Sequence, residues 1–194
     1  MKEIHYVPLG YDCNVAQYCK KNKLRTEAYP FDWLISPINL ITKAIEKDFE
    51  GFATDIYPIQ KQVQTYIDTK EKIELIHGFC KSSHMYFLHD IRANEPIENE
   101  LKLVEEKYNR RAKRLLQLME ERKIIYFLTD KKTIFNVFHE DLVKIVREKL
   151  NIETKVCNRE NDERVLKDEI YEFKMMLKRK YPGLKFKIIQ VDKI

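Results

Sequence analysis

Lys123-Ile124-Ile125-Tyr126-Phe127-Leu128 is a β-branched and aromatic run that ends at the polar pair Thr129-Asp130. A short apolar run with that composition reads as a strand buried on both faces. The chain then alternates. A helical pattern ends near Leu150, Thr154 to Cys157 reads as a strand, and a helix follows from about Asp162 to Tyr181. Pro182-Gly183 turns into a last strand, Leu184 to Val191. Strand, helix, strand, helix, strand predicts parallel pairing through helical crossovers. The expected fold is therefore α/β, with a largely parallel central sheet flanked by helices, Rossmann-like or acyl-hydrolase-like, in one domain spanning residues 1–194.

Working towards the N-terminus, Glu95 to Arg122 is the clearest helix. Ile97, Leu101, Val104, Tyr108, Ala112, Leu115 and Met119 fall on one stripe. Lys72 to His77 and Met85 to Leu88 read as strands with a turn over Gly78 to Ser83, and His89-Asp90 follows the second. Residues 49–70 are apolar without a clean period. Ser36-Pro37 opens a helix to about Lys47, proline being tolerated in the first turn. Tyr29-Pro30-Phe31-Asp32-Trp33-Leu34 is an aromatic loop. Ile4 to Leu9 is a strand, and from Cys13 the apolar residues Val15, Ala16 and Cys19 recur at helical spacing, with Asp12 placed to cap that helix.

Composition narrows the class. The 194 residues are 44% hydrophobic and 35% charged, too apolar for disorder. The net charge of +5 comes from 36 basic and 31 acidic residues mixed along the chain, a poor fit to nucleic acid. The densest basic stretch, Lys107 to Arg114, is either a solvated helix face or an anion-binding one. No run reaches the length of a membrane helix, and the N-terminus starts straight into a strand, so a cytoplasmic location and no membrane partner are expected. Cys13, Cys19, Cys80 and Cys157 form no metal-finger spacing and are expected as free thiols, with no metal and no cofactor. The expected partner is a small-molecule or peptide substrate.

In open parallel sheets, ligands bind beyond the carboxyl ends of the strands. Polar residues at those ends are Asp12 and Cys13, His89 and Asp90, Thr129 and Asp130, Asn158, and Asp192. Cys13 at a helix start would meet partial positive charge and backbone N–H groups, which favour a thiolate and an oxyanion. A thiol nucleophile needs a base within hydrogen-bond reach, and the base needs an orienting partner. Among His5, His77, His84, His89 and His139, the choice is His89, with Asp130 or Asp90 to orient it and Asp192 as a third option. His5 and His77 fall inside strands and are expected to be packed. Cys19 is expected in the core, and Cys80 and Cys157 as structural. Two other readings stay open: a transferase holding a sugar or nucleotide with Asp12, Asp32, Asp90 and Arg111, and a non-catalytic binding module.

Val7-Pro8-Leu9-Gly10-Tyr11-Asp12-Cys13-Asn14-Val15-Ala16, Leu24-Arg25 and Ala28-Tyr29-Pro30-Phe31-Asp32-Trp33-Leu34 together resemble a bacterial and viral family, a domain of unknown function described as "putative papain-like cysteine peptidase". His89-Asp90 and Lys107-Tyr108-Asn109-Arg110-Arg111 are similar to its second block, and Lys123 to Phe127 to its next strand. The similarity thins after about residue 150. The resemblance implies a hydrolase cleaving amide or ester bonds, with a cysteine nucleophile that Cys13 matches and a histidine base that His89 fits. Asp12, Asn14, Asp32, Trp33 and Arg111 are the expected substrate contacts. Papain-type enzymes carry a glutamine shortly before the cysteine; Ile4 to Asp12 holds none.

Overall fold

A computed structural model of the chain describes residues 3–11, 13–65, 71–131, 137–154 and 163–192. Its elements are β1 (Ile4–Leu9), α1 (Asn14–Lys21), β2 (Leu34–Ile35), α2 (Ile38–Glu46), β3 (Ile56–Thr65), β4 (Lys72–Cys80), β5 (Tyr86–Arg92), α3 (Ile97–Glu120), β6 (Ile124–Asp130), α4 (Val137–Leu150), α5 (Glu163–Lys180) and β7 (Lys185–Val191). They form two sheets, which corrects the expectation of one largely parallel sheet. The first is parallel, in the order β1-β6-β7, with Ile4 opposite Ile124 and Ile124 opposite Lys185. The second is antiparallel, in the order β2-β5-β4-β3.

The physical reason lies in connection lengths. Only Lys81 to Met85 joins β4 to β5. A parallel crossover needs a dozen residues or more, so this pair can only be a hairpin. The longer connection between β6 and β7 carries α4 and α5, and there the expected parallel pairing holds. The expected strand at Thr154 to Cys157 lies, beyond Thr154, outside the described residues, and Thr154 itself is not in a strand. The expected turn at Gly78 is also absent, because β4 continues through Cys80. A Cβ at Gly78 would stand 2.5 Å from Ile56 Cγ2 and 2.8 Å from Ile91 Cδ1, so glycine is what lets β3 and β5 close over β4. The true turn is clipped by Asp55, which accepts from Cys80 Sγ (2.9 Å), Ser82 N (3.1 Å) and Ser82 Oγ (2.9 Å). Cys80 is thus structural, as expected.

One hydrophobic cluster runs from Val7 and Phe127 of the parallel sheet to Phe79 and Phe87 of the antiparallel one. Between the sheets the aromatic loop buries Tyr29 and Phe31 completely, or nearly so. Phe31 stands 5.7 Å from both Phe49 and Phe52, and Tyr108 of α3 packs 4.9 Å from Phe87. Edge-on and tilted aromatic pairs at these separations add to the area they remove from water. Lys180 at the end of α5 donates to the Ile45 and Glu46 carbonyls at the end of α2, where helix carbonyls run short of backbone donors. These contacts lock the two layers together, and that lock positions the site.

Candidate active site

β1 runs into the parallel sheet and ends at Leu9; Gly10 follows, and its carbonyl accepts from Ser36 Oγ at 2.7 Å. The next backbone N–H, at Tyr11, donates to Asp130 Oδ2 at 3.3 Å. Because β1 and β6 are parallel neighbours, Asp130 at the end of β6 lies beside the end of β1 and holds the start of the turn. The turn delivers Cys13 to the N-cap position of α1, where φ is −70° and ψ −9° and no side-chain cap is made. Asp12, the expected cap and a candidate substrate contact, lies outside the described residues. Cys13 is half-buried, and its neighbour Cys19 is fully buried, as its helical spacing implied.

The partner of Cys13 comes from the other sheet. His89 Nε2 lies 3.1 Å from Cys13 Sγ, across 76 residues of sequence. His89 is not beyond a strand end, as expected, but inside β5, where pairing continues to Ile91 and Arg92 opposite Ile76 and Leu75. Its other nitrogen, Nδ1, is 3.1 Å from Gln64 Oε1. With the Gln64 amide oxygen at Nδ1, the matching tautomer has its proton on Nδ1 and leaves Nε2 as an acceptor towards the thiol. Burial pushes the His89 imidazole below its ordinary pKa range; the nearby Asp90 pulls the other way but less strongly. Burial thus favours the neutral ring, the form a base needs.

The side chain seen at His89 Nδ1 is Gln64, not one of the expected acids. Consecutive strand residues face opposite sides, and Asp90 points away into an ion pair with Lys107 and a 2.8 Å hydrogen bond from Tyr108 Oη. Asp130 is occupied with the Tyr11 backbone. Asp192, the third option, pairs with Lys131 at 2.7 Å. Gln64 escaped sequence reasoning because β3 lies in the stretch without a clean period. A polar alternation, Gln60, Gln62 and Gln64, was the available signal.

Around the pair, Trp33 stands edge-on to the His89 ring at 6.4 Å, with the Arg25 guanidinium 5.9 Å from its own ring centre. Trp33 has φ +68°, a costly conformation for a bulky residue and one that the packed loop imposes. Asp32 lies beneath it, fully buried, with Oδ2 accepting from Arg25 Nη2 (2.8 Å) and Nε (3.0 Å). Burial raises the Asp32 carboxyl above its usual range despite Arg25. Asp32 thus braces the loop from below. Asn14 opens α1 one residue after the thiol. Arg111 lies on α3 with its guanidinium 5.0 Å from the Tyr108 ring centre. The basic stretch of α3 is partly spent on structure: Arg114 donates to the Ala28 carbonyl at 2.6 Å, and Lys107 holds Asp90.

A second imidazole sits nearby in β4. His77 is buried, and its Nδ1 accepts from Gln60 Nε2 at 3.0 Å. Burial, with His89 close by, pushes His77 down to about 4. His5 is packed in β1, His139 is buried in α4 beside Tyr11, and His84 stands at φ +57° before β5. Cys157 and Asn158 lie outside the described residues. Among the described residues no three His, Cys, Asp or Glu side chains cluster as metal ligands, and no helix is long and apolar enough to cross a membrane.

The thiol of Cys13 and the imidazole of His89 thus stand within hydrogen-bond distance of each other. No curated protein and no solved structure matches the chain. Residues 4–193 match the family model described as "putative papain-like cysteine peptidase", a domain of unknown function, and the chain belongs to that family.

Proposed function

We propose that the protein is a cysteine-nucleophile hydrolase of amide or ester bonds, with Cys13 as nucleophile, His89 as general base and acid, and Gln64 as the residue that positions the base. The observation that carries this reading is the 3.1 Å contact between Cys13 Sγ and His89 Nε2, with Nδ1 tied to an acceptor.

The steps follow from that geometry. The Cys13 S–H proton moves to His89 Nε2 as the sulfur attacks the substrate carbonyl carbon. A C–S bond forms and the carbonyl π pair moves to oxygen. Backbone N–H groups in the first turn of α1, next to Cys13, are the donors this reading assigns to the developing oxyanion. As the tetrahedral species collapses, the leaving amine or alkoxide takes the proton from Nε2 and the bond to it breaks. His89 then draws a proton from water, whose oxygen attacks the thioester. The acid leaves, and the sulfur regains its proton. The sum is hydrolysis of one acyl bond by one water.

Burial sets the character of the pair. A ring that disfavours its charged form favours the neutral imidazole as the partner of Cys13. Proton transfer then accompanies attack, the regime in which a general base acts.

The test needs no knowledge of the natural substrate. The protein is incubated with 4-nitrophenyl acetate and, separately, with a mixed peptide library, and the intact mass is followed. An acyl adduct on Cys13 is expected, absent in Cys13→Ala and slowed at least about a hundredfold in His89→Ala, the low end of a general base's contribution. Full turnover by Cys13→Ala, or an adduct that forms equally fast without His89, would overturn the proposal.

A further inference from the structure

We propose that the groove between β7 and α5 is a docking site for an extended, acidic polypeptide segment, which adds to the parallel sheet as a further strand. Among the described residues β7 pairs on one side only, with β6. Among the described residues its other edge has no strand partner, and an exposed edge is a template for another chain. A groove of about 610 Å³ runs along this edge. Lys174 and Lys178 from α5 line it, its apolar floor includes Phe186 and Ile188, and Lys185 and Lys187 line it from the opposite face of β7, Lys187 5.3 Å from the Tyr126 ring centre. No acidic side chain lines it.

Lysines on an edge strand have a simpler role, that of blocking edge-to-edge aggregation. That role accounts for Lys185 and Lys187. It does not account for two more lysines, one helical turn apart on α5, converging on the same groove. Nor does it account for Tyr171 and Met175, which are 59% and 43% exposed on the adjoining stripe of that helix. An apolar floor with a cationic rim suits side chains alternating between apolar and acidic, which is what an extended peptide presents to one side and the other. A nucleic-acid strand would satisfy the lysines but would leave the strand's amides and the floor without partners.

The test uses fluorescence anisotropy with a fluorescein-labelled decapeptide of alternating glutamate and valine, titrated with the full-length protein. Saturable binding is expected. It should weaken at least about tenfold in Lys185→Glu/Lys187→Glu, because like charges then face the peptide. Lys174→Glu/Lys178→Glu on α5 should do the same; all four positions are exposed, so folding is retained and is checked by circular dichroism. A peptide N-methylated at alternate bonds, which cannot pair with the edge, should also lose at least about tenfold. No saturable binding up to about 1 mM peptide would overturn the proposal. So would equal affinity for the N-methylated peptide, or a single-stranded oligonucleotide of the same charge binding as tightly, either of which would mean a surface for any polyanion. Cys13 acylation in the lysine variants should match the parent protein, which keeps this outcome separate from that of the hydrolase proposal.

Discussion

Replacing Gln64 tests whether a neutral amide governs the nucleophile. The reporter is alkylation of Cys13 by iodoacetamide between about pH 5 and 9, in a Cys157→Ser background. Cys19 and Cys80 stay silent: both are fully buried, and burial pushes each thiol up to about 11. In Gln64→Leu, His89 Nδ1 loses the acceptor now at 3.1 Å. A neutral hydrogen bond contributes about 0.5–1.5 kcal/mol net. The rate at pH 7 should therefore fall about two- to tenfold, as the ring loses its preferred tautomer. Gln64→Glu acts in the opposite direction. A carboxylate at contact distance favours imidazolium by about 4 kcal/mol at an effective dielectric near 20, or about three pKa units as an upper figure. The sulfur lies beyond the ring from position 64, so attraction to the imidazolium outweighs repulsion of the thiolate. Alkylation below about pH 6 should rise above the parent rate, because a stable ion pair supplies thiolate there. A Gln64→Leu profile that superposes on the parent, with folding intact, would refute the assignment of Gln64 as the positioning group. A Gln64→Glu variant that is slower at every pH would refute the electrostatic argument.

Other consequences can be measured on the folded protein. His77 has a folded pKa depressed from about 6.5 to about 4, so its contribution to stability is complete above pH 6.5 and is lost as pH falls to 4, by about 3 kcal/mol. Urea midpoints should fall over that window, and less steeply in His77→Gln; an unchanged slope would mean His77 is not held neutral. Tyr108→Phe removes a buried hydroxyl that donates to Asp90 at 2.8 Å, which should cost about 1.5–3 kcal/mol while Cys13 alkylation stays within about twofold. Larger loss of alkylation would show that Asp90 acts on His89 after all. Gly78→Ala forces a methyl against Ile56 and Ile91 and should cost about 1–3 kcal/mol in chemical denaturation, whereas a neutral effect would mean β4 can shift aside.

Cys13 was legible as a candidate because its signals were local. An apolar run ending at Gly10, and helical spacing from Val15 to Cys19, are properties of a few adjacent residues, and the structure keeps both elements. The parallel sheet was legible at the C-terminal end, where helices separate the strands. The antiparallel sheet was readable from the brevity of the Lys81–Met85 connection. What hid it was β3. That strand lies at the sheet edge, carries Pro58 beside a register shift, and leaves Tyr57 39% and Val63 55% exposed. Edge strands tolerate proline and need only one apolar side, so their hydrophobic pattern is weak. Gln64, which meets His89 Nδ1, lies on that strand and was lost with it.

Two sheets rather than one also explain why the acid nearest in sequence is the wrong partner. In a single parallel sheet, functional groups collect in loops at one edge, where neighbours such as His89 and Asp90 can turn to the same side. Within a paired strand the backbone forbids this: alternate residues are sent to opposite faces, so His89 meets Cys13 while Asp90 meets Lys107 and Tyr108. The imidazole can then be oriented only by a residue projecting to its own side, and Gln64 arrives from β3, with β4 lying between the two strands in the sheet order. An amide rather than a carboxylate thereby meets the ring's Nδ1, in a buried setting that lowers the imidazole pKa. The reactive pair is a product of the packing between the sheets, since each sheet supplies one half of it.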